Sequence, residues 1–190
     1  MNIQTIIPIL NPPEIFFKKF IPALLSQTLY PTIVLINSGE AIPTGSYTSI
    51  NIDKKEFNHA NTRNLALKYE ADFYLFMTQD ALPYDEHLIE ELLKAFEDEE
   101  VVVSYARQIP YENADTIEVF ARTTNYPAQS VIKSKDDLTQ LGIKTFFCSD
   151  SCAMYRASYF REVGGFKQGL NTNEDMEYAA RAIMNGKKVV

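Results

Sequence analysis

The groups best placed for chemistry are polar residues that close apolar runs. In an open α/β sheet, ligands bind beyond the carboxyl ends of the strands, so such residues are the first candidates. Asn11 follows the run from Ile3 to Leu10, Asn37-Ser38 follows Thr32 to Ile36, Asp53 follows Thr48 to Ile52, and Gln79-Asp80 follows Phe73 to Met77. The Asp80 carboxylate could hold a hard cation or simply cap a turn. His59 and Arg63 are four residues apart, so a helix that starts near His59 projects both from one face. A guanidinium there stays charged and matches phosphate oxygens geometrically, which makes an anion its natural ligand. Two acidic segments are locally ambiguous. Thr172-Asn173-Glu174-Asp175 fits a helix capping box with acids favoured by the helix dipole, and Asp150, within Ser149-Asp150-Ser151, fits a turn.

The elements that must position these residues can be read from periodicity. The Ile-rich stretch Ile3 to Leu10 predicts a buried strand ending at Asn11-Pro12-Pro13. Ile15, Phe16, Phe20, Ile21, Leu24 and Leu25 recur at helical spacing within 14–27, where Pro22 should kink or shorten the helix. Further strands are expected at 32–36, 48–52, 73–77 and 101–105, with helices at about 61–69 and 85–97 between them. Segment 107–144 is polar and irregular, with 131–141 partly helical, and reads as an excursion over one sheet edge. Beyond it are expected a short helix at 157–163, a turn at Gly164-Gly165-Phe166 and a helix at 174–184 closed by Asn185-Gly186. The alternation of strand and helix predicts an α/β fold with a mostly parallel central sheet and helices on both faces.

With 190 residues and an ordinary apolar fraction, the chain should form a single domain, 1–190, with one well-buried core. Lys188-Val189-Val190 reads as a strand that has only begun, so a continuation beyond Val190 is expected. The net charge of -7 disfavours nucleic acid as a partner, since binding it takes a basic face. The first apolar run is broken too early for a signal peptide or membrane span, which predicts a cytoplasmic protein without a transmembrane segment; peripheral contact with the inner membrane face through residues beyond Val190 stays open. Cys148 and Cys152 lack a second pair or a His cluster and are expected to be reduced rather than zinc ligands or a disulfide. Gly39 stands alone, and no G-x-G-x-x-G or Walker-type loop follows a strand, which disfavours dinucleotide oxidoreductases and P-loop enzymes.

Taken together, Ile7-Pro8-Ile9-Leu10-Asn11, the segment Phe57 to Asn64, Thr78-Gln79-Asp80-Ala81, Gly164-Gly165-Phe166 and Glu174-Asp175 resemble family-2 glycosyltransferases in order and spacing, with the parts His59 to Asn64 and Thr78 to Ala81 most like bacterial rhamnosyltransferases. The resemblance covers nearly the whole chain. It implies a GT-A fold, a nucleoside-diphosphate-sugar donor, a glycan or lipid-linked glycan acceptor, and inversion at the transferred sugar. It also implies a divalent metal, Mg²⁺ or Mn²⁺, held through an Asp-x-Asp motif. Thr78 replaces the first Asp of that motif, leaving Asp80 as the sole protein carboxylate for the metal.

Carried over residue by residue, the resemblance makes Asp175 the base that takes the acceptor proton, with Glu174 orienting the acceptor or raising the pKa of Asp175 by like-charge repulsion. It gives Arg63 and His59 the diphosphate, and Pro8, Leu10, Asn11, Asn37, Ser38 and Gln79 the nucleotide, with Asn37 standing where an Asp is usual. Asp150 lies near the expected sugar site, where it contacts a sugar hydroxyl or closes a turn. Two other readings remain: a nucleotidyltransferase, which should carry a Gly-rich basic loop where Asn11-Pro12-Pro13 stands, and a nucleotide-sugar-binding or assembly domain without catalysis.

Overall fold

A computed structural model describes residues 1–190, and in it seven strands form one sheet in the order β3-β2-β1-β4-β6-β5-β7. These are β1 (Ile3–Ile9), β2 (Thr32–Asn37), β3 (Thr48–Asn51), β4 (Phe73–Met77), β5 (Val101–Tyr105), β6 (Cys152–Arg156) and β7 (Lys188–Val189). β1 lies between β2 and β4, parallel to both, and β2 pairs in parallel with β3. β6 runs antiparallel between β4 and β5, and β7 adds in parallel to β5. The sheet is thus mostly parallel, as the alternation predicts, with one reversed strand that it does not predict. Cys152-Ala153-Met154-Tyr155-Arg156 is short and carries few β-branched residues, so nothing in its composition marks a strand.

The helices are α1 (Ile21–Leu25), α2 (His59–Arg63), α3 (Leu88–Lys94), α4 (Thr116–Asn125), α5 (Leu138–Leu141), α6 (Ala157–Glu162) and α7 (Glu174–Met184). The helix that carries Pro22 is short and ends at Leu25. A π-helical turn over Phe16–Phe20 precedes it, with Ile21 N–H bonded to Phe16 O, so Pro22 occupies the first turn of α1, where no N–H is needed. The helix expected at 61–69 begins two residues earlier: the Asn58 side chain accepts from Asn61 N–H, and after Arg63 the chain tightens into a 3₁₀ turn over Asn64–Lys68.

Alternation along the strands divides the core into two layers. On one face, Ile3, Ile7, Ile9, Leu35, Leu75 and Met77 meet Phe20 and Leu24 of the α1 region and Ile89 and Leu92 of α3. On the other, Ile6, Val34, Tyr74, Phe76 and Tyr155 meet Phe160 of α6, Phe166, and Tyr178 of α7. The second layer is mostly aromatic: Phe76 and Tyr155 pack edge to face at 5.2 Å, as do Tyr155 and Tyr178 at 5.1 Å and Phe160 and Phe166 at 5.0 Å. Each such ring contributes roughly 1.5–3 kcal/mol by burial alone.

One polar clamp holds this aromatic layer to α2. Asn64 Nδ2 donates to Phe166 O, and Asn64 Oδ1 accepts from Phe166 N–H, both at 2.8 Å. Gly165 precedes Phe166 at φ +76°, and a Cβ there would come within 2.4 Å of Asn64 Oδ1. The turn therefore needs both its glycine and its asparagine. Asn64→Ala leaves the backbone of the buried Phe166 without partners and is expected to cost about 2–3 kcal/mol, read as a lowered midpoint in chemical denaturation.

The excursion between β5 and β6 contains α4, where the sequence predicts only irregular chain, and a short helical stretch at 135–141 that it anticipates. None of the α4 residues is buried; Asp115 caps it by accepting from Glu118 N–H. Farther along the excursion, Lys133 is buried and tethers it, donating to Tyr105 Oη at 3.0 Å and to the Phe147 carbonyl, while its backbone pairs with Val189. No helix is long and apolar enough to cross a membrane.

Candidate active site

The loops that leave β1, β2 and β4 are stitched to one another. Leu10 N–H donates to Gln79 Oε1 at 2.9 Å, and Gln79 Nε2 returns to Leu10 O at 3.4 Å. Asn11 adopts φ +41°, and its Oδ1 accepts from Glu40 N–H at 2.8 Å. A Cβ on Gly39 would stand 2.2 Å from that oxygen, so only glycine lets the two loops approach. Asn37 is buried and fully occupied: Nδ2 donates to Glu40 O and Asn51 Oδ1, and Oδ1 accepts from Gly39 N–H. Ser38 Oγ donates to Ile9 O at 3.2 Å. Asp53, another strand-end candidate, caps the turn Lys54–Glu56. Asn11, Asn37 and Asp53 thus shape the loops with their own side chains.

Beside these loops lies a cleft of about 350 Å³, lined by Pro8, Leu10, Ser38, His59, Arg63 and Gln79 among the expected residues. Lys54, Phe57 and Thr78 line it too. Lys54 is not among the residues that the sequence singles out, although it stands two residues beyond a strand end. Phe57 packs edge to face on the His59 ring at 5.1 Å. The wall is therefore apolar with two cations at its edge, a composition suited to a base or sugar attached to phosphate.

Arg63 is only 3% exposed and is held from several sides. Its Nη1 donates to Glu174 Oε1 at 2.8 Å and lies 3.1 Å from His59 Nδ1, while Nε stands 3.3 Å from Asp150 Oδ2 without hydrogen-bond geometry. The cluster places two of the expected residues. Glu174 is buried, with its carboxylate against Arg63. Asp150 is buried as well, accepting the Tyr155 hydroxyl at 2.6 Å, and presents no carboxylate oxygen to the cleft. Burial pushes the Asp150 carboxyl up to about 8, over the opposing pull of Arg63. Arg63, already paired with Glu174 at the shorter distance, offsets that rise only in part.

Asp175 lies in the first turn of α7 but does not cap it. Asn173 holds the cap position in the left-handed region at φ +60° with no side-chain hydrogen bond, so the capping box that the local sequence fits is not formed. Instead the Asp175 carboxylate is oriented by two backbone amides, Oδ2 accepting from Asp150 N–H at 3.1 Å and Oδ1 from Met176 N–H at 2.7 Å. One lone pair on each oxygen remains for a proton. The loop before β6 therefore links the Arg63 cluster to Asp175 through a single residue.

Asp80 is exposed in the turn after β4, where its backbone carbonyl accepts the Tyr111 hydroxyl from the excursion at 2.9 Å. No group of three or more His, Cys, Asp or Glu side chains could hold a metal by itself. A lone exposed carboxylate does fit Mg²⁺ or Mn²⁺ that brings most of its ligands as phosphate oxygens and water. Both cysteines are buried and free, and burial pushes the Cys152 thiol up to about 12, so neither offers a thiolate ligand.

The family model described as glycosyl transferase family 2 matches residues 6–164. The chain is 40% identical over 199 aligned positions to the O-antigen chain rhamnosyltransferase RfbN of Salmonella typhimurium, covering 100% of this chain and 63% of that protein. It is 39% identical over 193 positions to the O-antigen chain rhamnosyltransferase WbaN of Salmonella anatum, covering 97% of this chain and 61% of the relative. The chain thus spans less than two thirds of the length of these relatives. Among solved structures, the mannosyltransferase PcManGT of Pyrobaculum calidifontis, in complex with GDP-Man and Mn²⁺, aligns with a TM-score of 0.70 at 15% identity, covering 100% of this chain and 54% of that one. TarS 1-349 of S. aureus in complex with UDP-GlcNAc aligns with a TM-score of 0.69 at 16% identity, covering 100% and 56%. At such identities the likeness concerns the fold, which is GT-A.

Proposed function

The chain belongs to glycosyl transferase family 2, and from that premise we propose that it is the donor-binding and catalytic part of an inverting glycosyltransferase. The sugar is rhamnose carried on thymidine diphosphate, and the acceptor is a hydroxyl of a surface glycan; the names of the two relatives support the sugar and the glycan class. The observation that carries the reading is the pairing of a cation-edged cleft with an amide-oriented carboxylate, joined through Asp150.

The chemistry is one displacement. The acceptor oxygen forms its bond to the anomeric carbon as the bond to the diphosphate breaks, and the acceptor proton passes to Asp175. Asp175 is suited to this because its two amide contacts hold the carboxylate in one orientation while leaving an oxygen lone pair free. Arg63 keeps a fixed positive charge at the edge of the cleft, where the departing diphosphate gains charge, and Glu174 holds the guanidinium in place. Pro8, Leu10 and Ser38 give the nucleotide a rigid wall, because their loops are bonded to one another before any ligand arrives. Asp80 is the residue that would hold a divalent ion, which would supply further charge neutralisation to the departing diphosphate.

The test is a thermal-shift screen of nucleoside-diphosphate sugars with and without Mn²⁺, followed by an assay for diphosphate release. A donor at 100 times its dissociation constant should stabilise the fold by about 2.7 kcal/mol. Stabilisation by none of the donors sinks the reading. Stabilisation without release or transfer, whatever the metal, favours a non-catalytic binding domain. A nucleotidyltransferase is disfavoured by the first loop, where Pro12 and Pro13 stand and no glycine or basic side chain is present for a triphosphate.

A further inference from the structure

We propose that Asp150 is a positioning residue that sets the net charge with which Arg63 meets the donor diphosphate, so that donor binding is strong while Asp150 carries its proton and weak once the proton is lost. The proposal rests on the reading of the cleft as a nucleotide-sugar site and gives a buried side chain a defined part in it.

The geometry begins with three charges in a dry place. Arg63, Glu174 and Asp150 are 3%, 4% and 2% exposed, and the guanidinium lies between the two carboxyl groups at 2.8 and 3.3 Å. With Asp150 neutral the cluster sums to zero, and Arg63 lends its positive edge to the cleft. With Asp150 ionised the cluster is negative and faces an anion across a wall that water does not screen well. Arg63 Nε and Asp150 Oδ2, 3.3 Å apart, are each buried without a hydrogen-bond partner, so this contact is held by charge and not by a directed bond. Protonated, Asp150 can donate from Oδ1 to the Tyr155 oxygen, and the Tyr155 hydroxyl can then turn to Cys148 Sγ, 3.7 Å away. Both protonation states are thus accommodated without moving the backbone, whose amide continues to hold Asp175.

The groups facing Asp150 come from every element around it: Arg63 from α2, Glu174, Asp175 and Tyr178 from α7, Tyr155 and Cys152 from β6, and Cys148 from the loop before it. Burial raises Cys152 to about 12 and drives Cys148, Tyr155 and Tyr178 well above their usual values, so these stay neutral near pH 8. Asp150, raised to about 8, changes charge there. Lys133 does so too, because burial pulls its amine down to about 8; it faces Cys148 and the Tyr105 ring. His59 touches Glu174 from the cleft side at 3.9 Å. A variant that changes Asp150 alone separates its titration from these.

The experiment compares parent protein and Asp150→Asn, which keeps the shape, the acceptor for Tyr155 and the backbone amide. Thymidine, uridine and guanosine diphosphates are titrated calorimetrically in the presence of Mn²⁺ from pH 7 to pH 9. The parent is expected to lose about tenfold in affinity across that range relative to the variant, the loss that arises when only the protonated form binds well. Parallel curves for the two proteins overturn the proposal and leave the nucleotide-sugar reading standing. Absence of binding in both proteins at every pH overturns that reading and this proposal with it. Should Asp150→Asn fail to fold, Tyr155→Phe serves: removing the hydroxyl that stabilises the carboxylate should move the midpoint of the affinity loss to higher pH, and an unmoved midpoint overturns the proposal.

Discussion

An Asp175→Asn variant is expected to bind nucleotide sugar as tightly as the parent while its transfer rate falls about 10²–10⁴-fold. Asparagine keeps the volume of the side chain and an oxygen that can accept from Asp150 or Met176 N–H, so the start of α7 should not move. What it loses is the ability to take a proton as the acceptor bond forms. Donor affinity by calorimetry and transfer to an acceptor by product analysis separate the two effects. Parental turnover in this variant would falsify the assignment of the base. Reduced donor affinity with unchanged turnover at saturation would point instead to a binding role for Asp175.

Asp80→Ala should remove the Mn²⁺-dependent part of donor affinity, an effect of about 100-fold or ~3 kcal/mol, and leave the fold within about 0.5 kcal/mol of the parent. The fold is spared because Asp80 is exposed and the Tyr111 contact is made to its backbone carbonyl, which alanine retains. The binding effect is large because Thr78 supplies no second carboxylate to share the load. Titrations of donor with and without Mn²⁺ check this, and equal metal dependence in both proteins rules out Asp80 as the ligand.

The centre of the parallel sheet was legible because its strands carry apolar runs, such as Phe73 to Met77 and Ile33 to Ile36, closed by polar residues. The same rule reaches the cleft at Ser38 and Gln79, whereas Pro8 and Leu10 enter through the family resemblance. It failed at β6 for a physical reason. A reversed strand meets the ligand edge with its start, so the residues near the site precede the strand, and a rule that inspects only the carboxyl ends of apolar runs passes over Asp150. The partner of Glu174 is not legible for a different cause: sequence places it beside Asp175, whereas Arg63, which fixes it, is 111 residues away. Spacing within one segment carries no information about such a contact. α4 escaped because it buries nothing, and without burial no apolar stripe exists to reveal a helix, although Asp115 and Glu118 stand where a cap and its first turn would be.

The reversal of β6 also determines where the protein can vary. β5 ends and β6 begins at the ligand edge, and Ala106 N–H bonds to Cys152 O at 2.9 Å, so the long excursion leaves and rejoins the sheet at almost one point. The stretch 107–132 makes no backbone pairing with the sheet before Lys133 pairs with Val189, so its length can vary without altering strand register. Near the start of that stretch the Tyr111 hydroxyl donates to the backbone carbonyl of Asp80. Changes within 107–132 can therefore remodel the surroundings of Asp80 while Lys133, Asp150 and the sheet stay in place.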